Sequence, residues 1–238
     1  MTIARIVFTR IFRAKRTWAI ALLPALGVLT AVVARNSGRG AEAYGHQVRN
    51  LVIPIILALV ALVISTSAIG DEREDLTILY LTQTTVPRLR IVVETWFSAF
   101  MATLVLMTPA VVAEMALGSS VGVGGGALAD LVFAIVLAAA GYCALGVLLA
   151  LLTKRAALVG LVYVLLWEGT LSGFAAGARN LSIAQHARSI VARNVDALTR
   201  SAIDPPSTGA GAAVIALLVA PVVLLALGQR RLQRMNLP

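Results

Sequence analysis

Charge is what this chain of 238 residues has least of: charged side chains make up only 13% of it, about half the share of a soluble domain. That scarcity excludes an ordinary water-soluble fold, because the 59% of residues that are apolar could not be coated by so few polar groups. Cysteine is nearly absent too. Cys143 stands alone in an apolar run, which rules out an internal disulfide and a thiolate metal cluster. Lysine is almost as scarce, since Lys15 and Lys154 are the only two among 20 basic residues. Together with abundant Ala, this is the composition of a GC-rich bacterial genome. No basic helix interleaved with aromatics is present, nor any zinc or RNA-binding signature. The net charge of +9 therefore points to basic loops beside a membrane, not to nucleic acid. The first apolar run has no clear small-residue cleavage site after it and reads as a retained helix, not a signal peptide.

What is there is a series of apolar runs. Six can be drawn: Trp18–Ala34, Leu51–Ile69, Trp96–Leu117, Ala127–Leu152, Ala156–Ala175 and Ala210–Gly228. At about 1.5 Å per residue each crosses or nearly crosses a hydrocarbon core of about 30 Å. Pro24, Pro54, Pro109 and Pro221 fall inside them and are expected at kinks. The fold class is thus an all-α integral membrane protein with about six transmembrane helices, forming one transmembrane domain over residues 1–238. Thirteen of the 20 basic residues fall on the side of the amino terminus and seven on the other. The rule that Lys and Arg stay inside then puts both termini in the cytoplasm, with the protein multi-pass in the bacterial inner membrane. Trp18 and Trp96 would lie at the inner interface.

The flanking segments carry patterns of their own. In residues 1–17, Ile3, Ala4, Val7, Phe8, Ile11 and Phe12 share one half of a helical wheel, opposite Arg5, Arg10, Arg13 and Arg16. That is the pattern of an interfacial helix among lipid headgroups, although a basic anchor that only sets topology would look similar. Gly118–Gly126 reads as a flexible turn, because no strand–loop–helix context supports a phosphate loop. Within the outer loop 176–209, Arg179–Arg200 can form an amphipathic helix, with Ile183, Ala187, Ile190, Val191 and Leu198 on its apolar side. His46 and His186 are placed in outer loops.

The polar stretch 71–94 is the most informative. Asp71, Glu72, Glu74 and Asp75 stand where a helix would leave the membrane, followed by Thr77, Leu79, Leu81 and the turn Pro87-Arg88. Acids, apolar knobs and helical periodicity suit a cytoplasmic hairpin that docks into another protein, against the plainer reading of a solvated loop.

Here the sequence resembles the permease subunits of type-2 ABC transporters. The amino-terminal amphipathic helix, the six spans, and Glu72, Arg73, Glu74, Thr77, Leu79, Leu81, Pro87 and Arg88 between spans two and three follow that pattern. Tyr163–Trp167-Glu168, followed by Asn180-Leu181-Ser182, is a second match. Leu76 stands where Gly is usual, and Glu94 where Lys often precedes the third span. The resemblance implies that the hairpin is a coupling helix seated in a separate cytoplasmic ATPase, with Asp71, Glu72, Glu74, Thr77, Leu79, Leu81, Pro87 and Arg88 as coupling residues. It implies an ATP-driven exporter whose pathway needs a second permease copy or a paralogue. ATP and Mg would be bound by the partner ATPase; this chain has no GxxxxGK[ST] motif, so no cofactor is expected in it and no enzymatic role.

Acids inside apolar runs are functional candidates, because a charge at mid-bilayer costs about 2.5–3.5 kcal/mol or more. Glu168 is the deepest, and Glu114 and Asp130 lie nearer the outer ends, where they could reach headgroups. Glu168 and Glu114 are candidates for the substrate pathway or an outer gate, and a structural Glu168 is the plainer alternative. No Ser/His pair, paired intramembrane aspartates or HExxH supports a protease. Two other classes remain open: an ion-gradient-driven secondary transporter with Glu168 as proton site, and a non-transporting scaffold whose hairpin recruits a partner.

Overall fold

The computed structural model describes residues 8–9, 11, 19–36, 40–74, 87–171, 180–193 and 208–234, and these residues fold into seven helices. Helix α1 is Leu22–Asn36. Helix α2 runs unbroken over 40–74, as Gly40–Gln47, a π-helical stretch Val48–Leu57, and Ala58–Glu74. Helix α3 is Arg88–Ser120 and α4 is Gly125–Leu152. Helix α5 joins Ala156–Val162 to a second π-helical stretch, Tyr163–Leu171. Helix α6 is Ile183–Val191, and α7 is Ala210–Arg234. Four segments are long and apolar enough to cross a membrane: Glu42–Ala68, Leu89–Ser120, Gly125–Leu152 and Ala210–Gln233. Leu22–Asn36 and Ala156–Glu168 are shorter apolar helices.

Helix α4 is the hub, packing against α2, α3, α5, α6 and α7. Its sequence explains why. It is apolar on every side, as a helix enclosed by others must be, and its small residues let neighbours approach. A Cβ on Gly146 would fall 1.9 Å from Ser65 Oγ of α2, so only glycine fits that crossing. Trp96 of α3 is half-buried and donates its indole N–H to the Ala140 carbonyl at 3.0 Å. The opposite extreme is α7, where Ile215, Leu218, Val219, Val222 and Val223 form an exposed apolar stripe at helical spacing, as a lipid-facing surface requires.

Val92, Leu151 and Leu232 cluster at one end of the bundle, where a Cβ on Gly228 would touch Leu151 and come near Val92. The start of α3 and the ends of α4 and α7 therefore lie together, with Arg90, Lys154, Arg155, Arg230 and Arg231 around them. At the other end, Gly118 packs against Leu128 and Tyr44. There the turn between α3 and α4 is closed by Gly122 in a left-handed conformation, φ 82°, which favours glycine.

Several boundaries depart from the sequence reading. Residues 40–50, read as an outer loop, are helical, with Tyr44, Gln47 and Val48 buried. The third span is extended at both ends, and the last continues to Arg234. The prolines do not act alike. Pro24 sits in the first turn of α1, where a missing N–H is tolerated, and α3 and α7 run on through Pro109 and Pro221. Pro54 lies within the π-helical stretch of α2, consistent with its inability to donate in an ordinary helical ladder. Of residues 1–17, Phe8, Thr9 and Ile11 are described: Ile11 is buried and Phe8 packs against the core, while the rest of the expected interfacial helix lies outside the described residues.

Candidate functional site

Two carboxylates are buried within the bundle, and each is held by a different set of helices. Glu168 lies in the π-helical stretch of α5 and is 2% exposed. It accepts hydrogen bonds from the Tyr163 hydroxyl at 3.0 Å, from the Ile183 backbone N–H at 3.1 Å, and from the Ser182 hydroxyl. Ser182 is the N-cap of α6, and its oxygen in turn accepts from the Gln185 N–H at 3.0 Å. A helix start has unsatisfied N–H groups and a partial positive charge, so a carboxylate placed there completes the cap. Glu168 thus ties α5 to α6. Behind it, His186 Nδ1 is 2.7 Å from the Ser182 carbonyl and must donate, because a carbonyl only accepts. Tyr142 of α4 is fully buried, and its hydroxyl makes no well-formed hydrogen bond.

These contacts pull α6 into the protein. The amphipathic helix expected in the outer loop is present, and its polar side chains Gln185, His186 and Ser189 are as buried as Ile183 and Ile190. Its nine residues span only about 14 Å, so it enters the bundle without crossing it. Arg188 reaches further, donating from Nε to the Arg49 carbonyl of α2 at 2.8 Å.

Glu114, in α3, is fully buried, which corrects the expectation that it could reach headgroups. Gln47 of α2 donates its amide Nε2 to Glu114 Oε1 at 2.6 Å, to Thr30 Oγ1 of α1 at 3.0 Å, and to the Gly27 carbonyl at 3.3 Å. The amide has only two hydrogens, so three acceptors share them. Glu114 Oε2 and Gln47 Oε1 are left without partners. Gly27 lets α1 come this close, since a Cβ there would already press on Ala110 and Ile56 at 3.3 Å. Asp130 is half-exposed near the start of α4.

The structure brings together residues that the second sequence match held apart: Tyr163, Glu168 and Ser182 share one carboxylate. It does not bring Glu114 and Glu168 into one site. Among the coupling candidates, Asp71, Glu72 and Glu74 stand in the last turn of α2, Pro87 is the exposed N-cap of α3, and Arg88 is the first residue of α3. Thr77, Leu79 and Leu81 lie outside the described residues. Gln47 and Arg188 were not singled out in the sequence. Gln47 looked like a loop residue, and its bond to Glu114 spans 67 positions, beyond any local pattern. Among the described residues, no group of three or more His, Cys, Asp or Glu could hold a metal ion.

A sequence profile described as ABC-2 family transporter protein matches residues 1–237. Comparison with curated protein sequences returns no match. With the profile covering nearly the whole helical bundle, the chain belongs to the ABC-2 transporter family, as one of its non-catalytic multi-pass membrane subunits.

Proposed function

We propose that the chain is the permease subunit of an ATP-driven exporter, forming a translocation pathway as a dimer and coupled through 71–94 to a separate ATPase. The observation that carries this reading is the way α2 and α3 flank that segment. Helix α2 stays helical to Glu74, past the apolar span ending at Ala68, and α3 resumes at Arg88. Two long rigid helices therefore reach the connection from the bundle. They meet it at the end that carries Arg90, Lys154, Arg155, Arg230 and Arg231, which the distribution of Lys and Arg assigns to the cytoplasm. Movement of a bound ATPase would pass directly into helices that contact the hub α4. The second copy supplies the further helices that a pathway between two halves needs, and a symmetric closed dimer is the default arrangement.

Docking energy should come chiefly from Leu79 and Leu81, at about 1.5–3 kcal/mol for each fully buried large side chain. Exposed acids such as Glu72 and Glu74 add about 0–1 kcal/mol each. The test is affinity purification of the permease with its ATPase, followed by ATP-dependent efflux from vesicles treated with ionophores. Leu79→Asp should release the ATPase while the permease stays folded, and neutralising Glu72 and Glu74 should only weaken assembly at low salt. A wild type that never retains an ATPase, or efflux that collapses with the ion gradient, would sink the proposal.

A further inference from the structure

In a π-helical ladder each backbone N–H reaches the carbonyl five residues back. The donor due to the Arg49 carbonyl is therefore residue 54, and residue 54 is proline. Pro54 has no N–H to give. The missing bond comes from elsewhere in the chain, because Arg188 Nε donates to that same carbonyl at 2.8 Å across 139 positions. Arg188 is steadied for the task by its second contact, Nη1 to Gln185 Oε1 at 3.2 Å, and the helix that carries it is fixed at its start by Glu168.

The register matters because the two possible ladders leave different carbonyls bare. With ordinary bonds four residues back, Pro54 would deprive Asn50, and Arg49 would be served by the N–H of Ile53. A donor aimed at Arg49 therefore favours the π-helical register over the α-helical one. A change of register by one residue turns everything downstream by about 100°, at 3.6 residues per turn. What lies downstream is Ala58–Glu74, continuous with the stretch and leading into 71–94.

We infer that Arg188 is a positioning residue: by supplying the hydrogen bond that Pro54 withholds from Arg49, it holds α2 in its π-helical register and sets the rotation of the helix that delivers the coupling segment. Its consequence for transport rests on the coupling reading above; its effect on α2 does not. The short helix α6 thereby links the far end of the bundle to the ATPase-facing end through the rotation of a single helix.

Paired cysteines can read the register directly. A Cβ on Gly160 of α5 would lie 3.6 Å from the Leu62 Cβ, within disulfide range. A Cβ on Gly27 would lie 3.3 Å from the Ala110 Cβ, and that pair reports α1 against α3. In the full chain carrying Cys143→Ala, each pair is introduced separately and oxidised in native membranes. Arg188→Met keeps length and loses the donor; Arg188→Lys keeps a donor. Loss of a charged donor from a buried carbonyl corresponds to about a tenfold change in the register equilibrium. The out-of-register population should rise about tenfold in Arg188→Met, read as a lower initial rate of Leu62–Gly160 cross-linking, and stay at the wild-type level in Arg188→Lys, while Gly27–Ala110 forms in both. Wild-type cross-linking of Leu62–Gly160 in Arg188→Met overturns the inference. So does loss of both cross-links, which would make Arg188 a general support of the bundle. No ATPase enters this measurement, so it stands whether or not one co-purifies. Where an ATPase does, Arg188→Met should retain it yet transport more slowly, and Arg188→Lys should transport as the wild type.

Discussion

The amide nitrogen of Gln47 lies 2.6 Å from Glu114 Oε1, and this one bond joins the second and third helices at a point where neither side chain has access to solvent. It leaves one acceptor oxygen on each residue unpartnered. Glu114→Gln supplies a second amide, which can donate to Gln47 Oε1 while accepting from Nε2. The expected result is a thermal midpoint equal to or above that of the wild type. Glu114→Ala removes this bond and leaves a gap beside Gln47, whose amide keeps Thr30 and the Gly27 carbonyl; losing one hydrogen bond, at about 0.5–1.5 kcal/mol, should lower the midpoint. A double-mutant cycle with Gln47→Ala, followed by thermal unfolding in detergent, should return a coupling of about 0.5–3 kcal/mol. Additive effects would mean that the contact contributes nothing.

Glu168 is expected to matter more than Glu114 or Asp130, because it holds the start of α6. Glu168→Gln keeps the shape and can still accept from Tyr163 and the Ile183 N–H, so it should fold normally and retain most transport. Glu168→Ala removes a helix cap, at about 0.5–2 kcal/mol, and leaves buried donors bare. Its folded yield should drop. A Gln variant that folds yet does not transport would show that the charge itself is needed.

Close packing at the hub gives a third prediction. Gly146→Ala would place a methyl 1.9 Å from Ser65 Oγ, so α2 and α4 must separate. Overpacking of this kind costs about 1–3 kcal/mol. Ser65→Ala removes the nearest atom and leaves the Cβ at 3.0 Å, so the double variant should be more stable than Gly146→Ala alone. Thermal unfolding of the three proteins decides it.

The orientation is tested with single cysteines in a chain carrying Cys143→Ala. Gly122→Cys should react with an impermeant maleimide on intact cells, and Lys154→Cys should react only after lysis. Labelling at position 154 alone would invert the assignment of every loop.

Helix α4 was legible nearly to the residue, because a long apolar run is bounded by a glycine-rich turn and by Thr153-Lys154-Arg155. The start of α2 was not. Glu42, His46, Gln47, Arg49 and Asn50 make residues 40–50 polar; Glu42, His46 and Asn50 stay exposed, and partners on other helices make the burial of Gln47 tolerable. Helix α6 was expected from its apolar side, but the burial of its polar residues was not, because the carboxylate that holds its start lies on α5. Glu168 itself stood out as an acid inside an apolar run. That it caps another helix was not visible, since Ser182 lies beyond the end of that run. Hydrophobic periodicity also cannot separate a π-helical stretch from an α-helical one over ten residues, although Pro54 marked the place.

The turn between α3 and α4 bears on how the protein enters the membrane. Residues 115–129 contain no charged side chain, and the turn closes on itself through Val121, Gly122 and Val123, whose N–H groups bond to the last carbonyls of α3. The turn itself thus adds neither an ionised group nor many unsatisfied backbone donors to what must cross, and Glu114 and Asp130 on either side are the nearest acids. During biogenesis α3 and α4 can therefore insert together as a preassembled hairpin, so the hub helix would already have one partner before α5, α6 and α7 are synthesised.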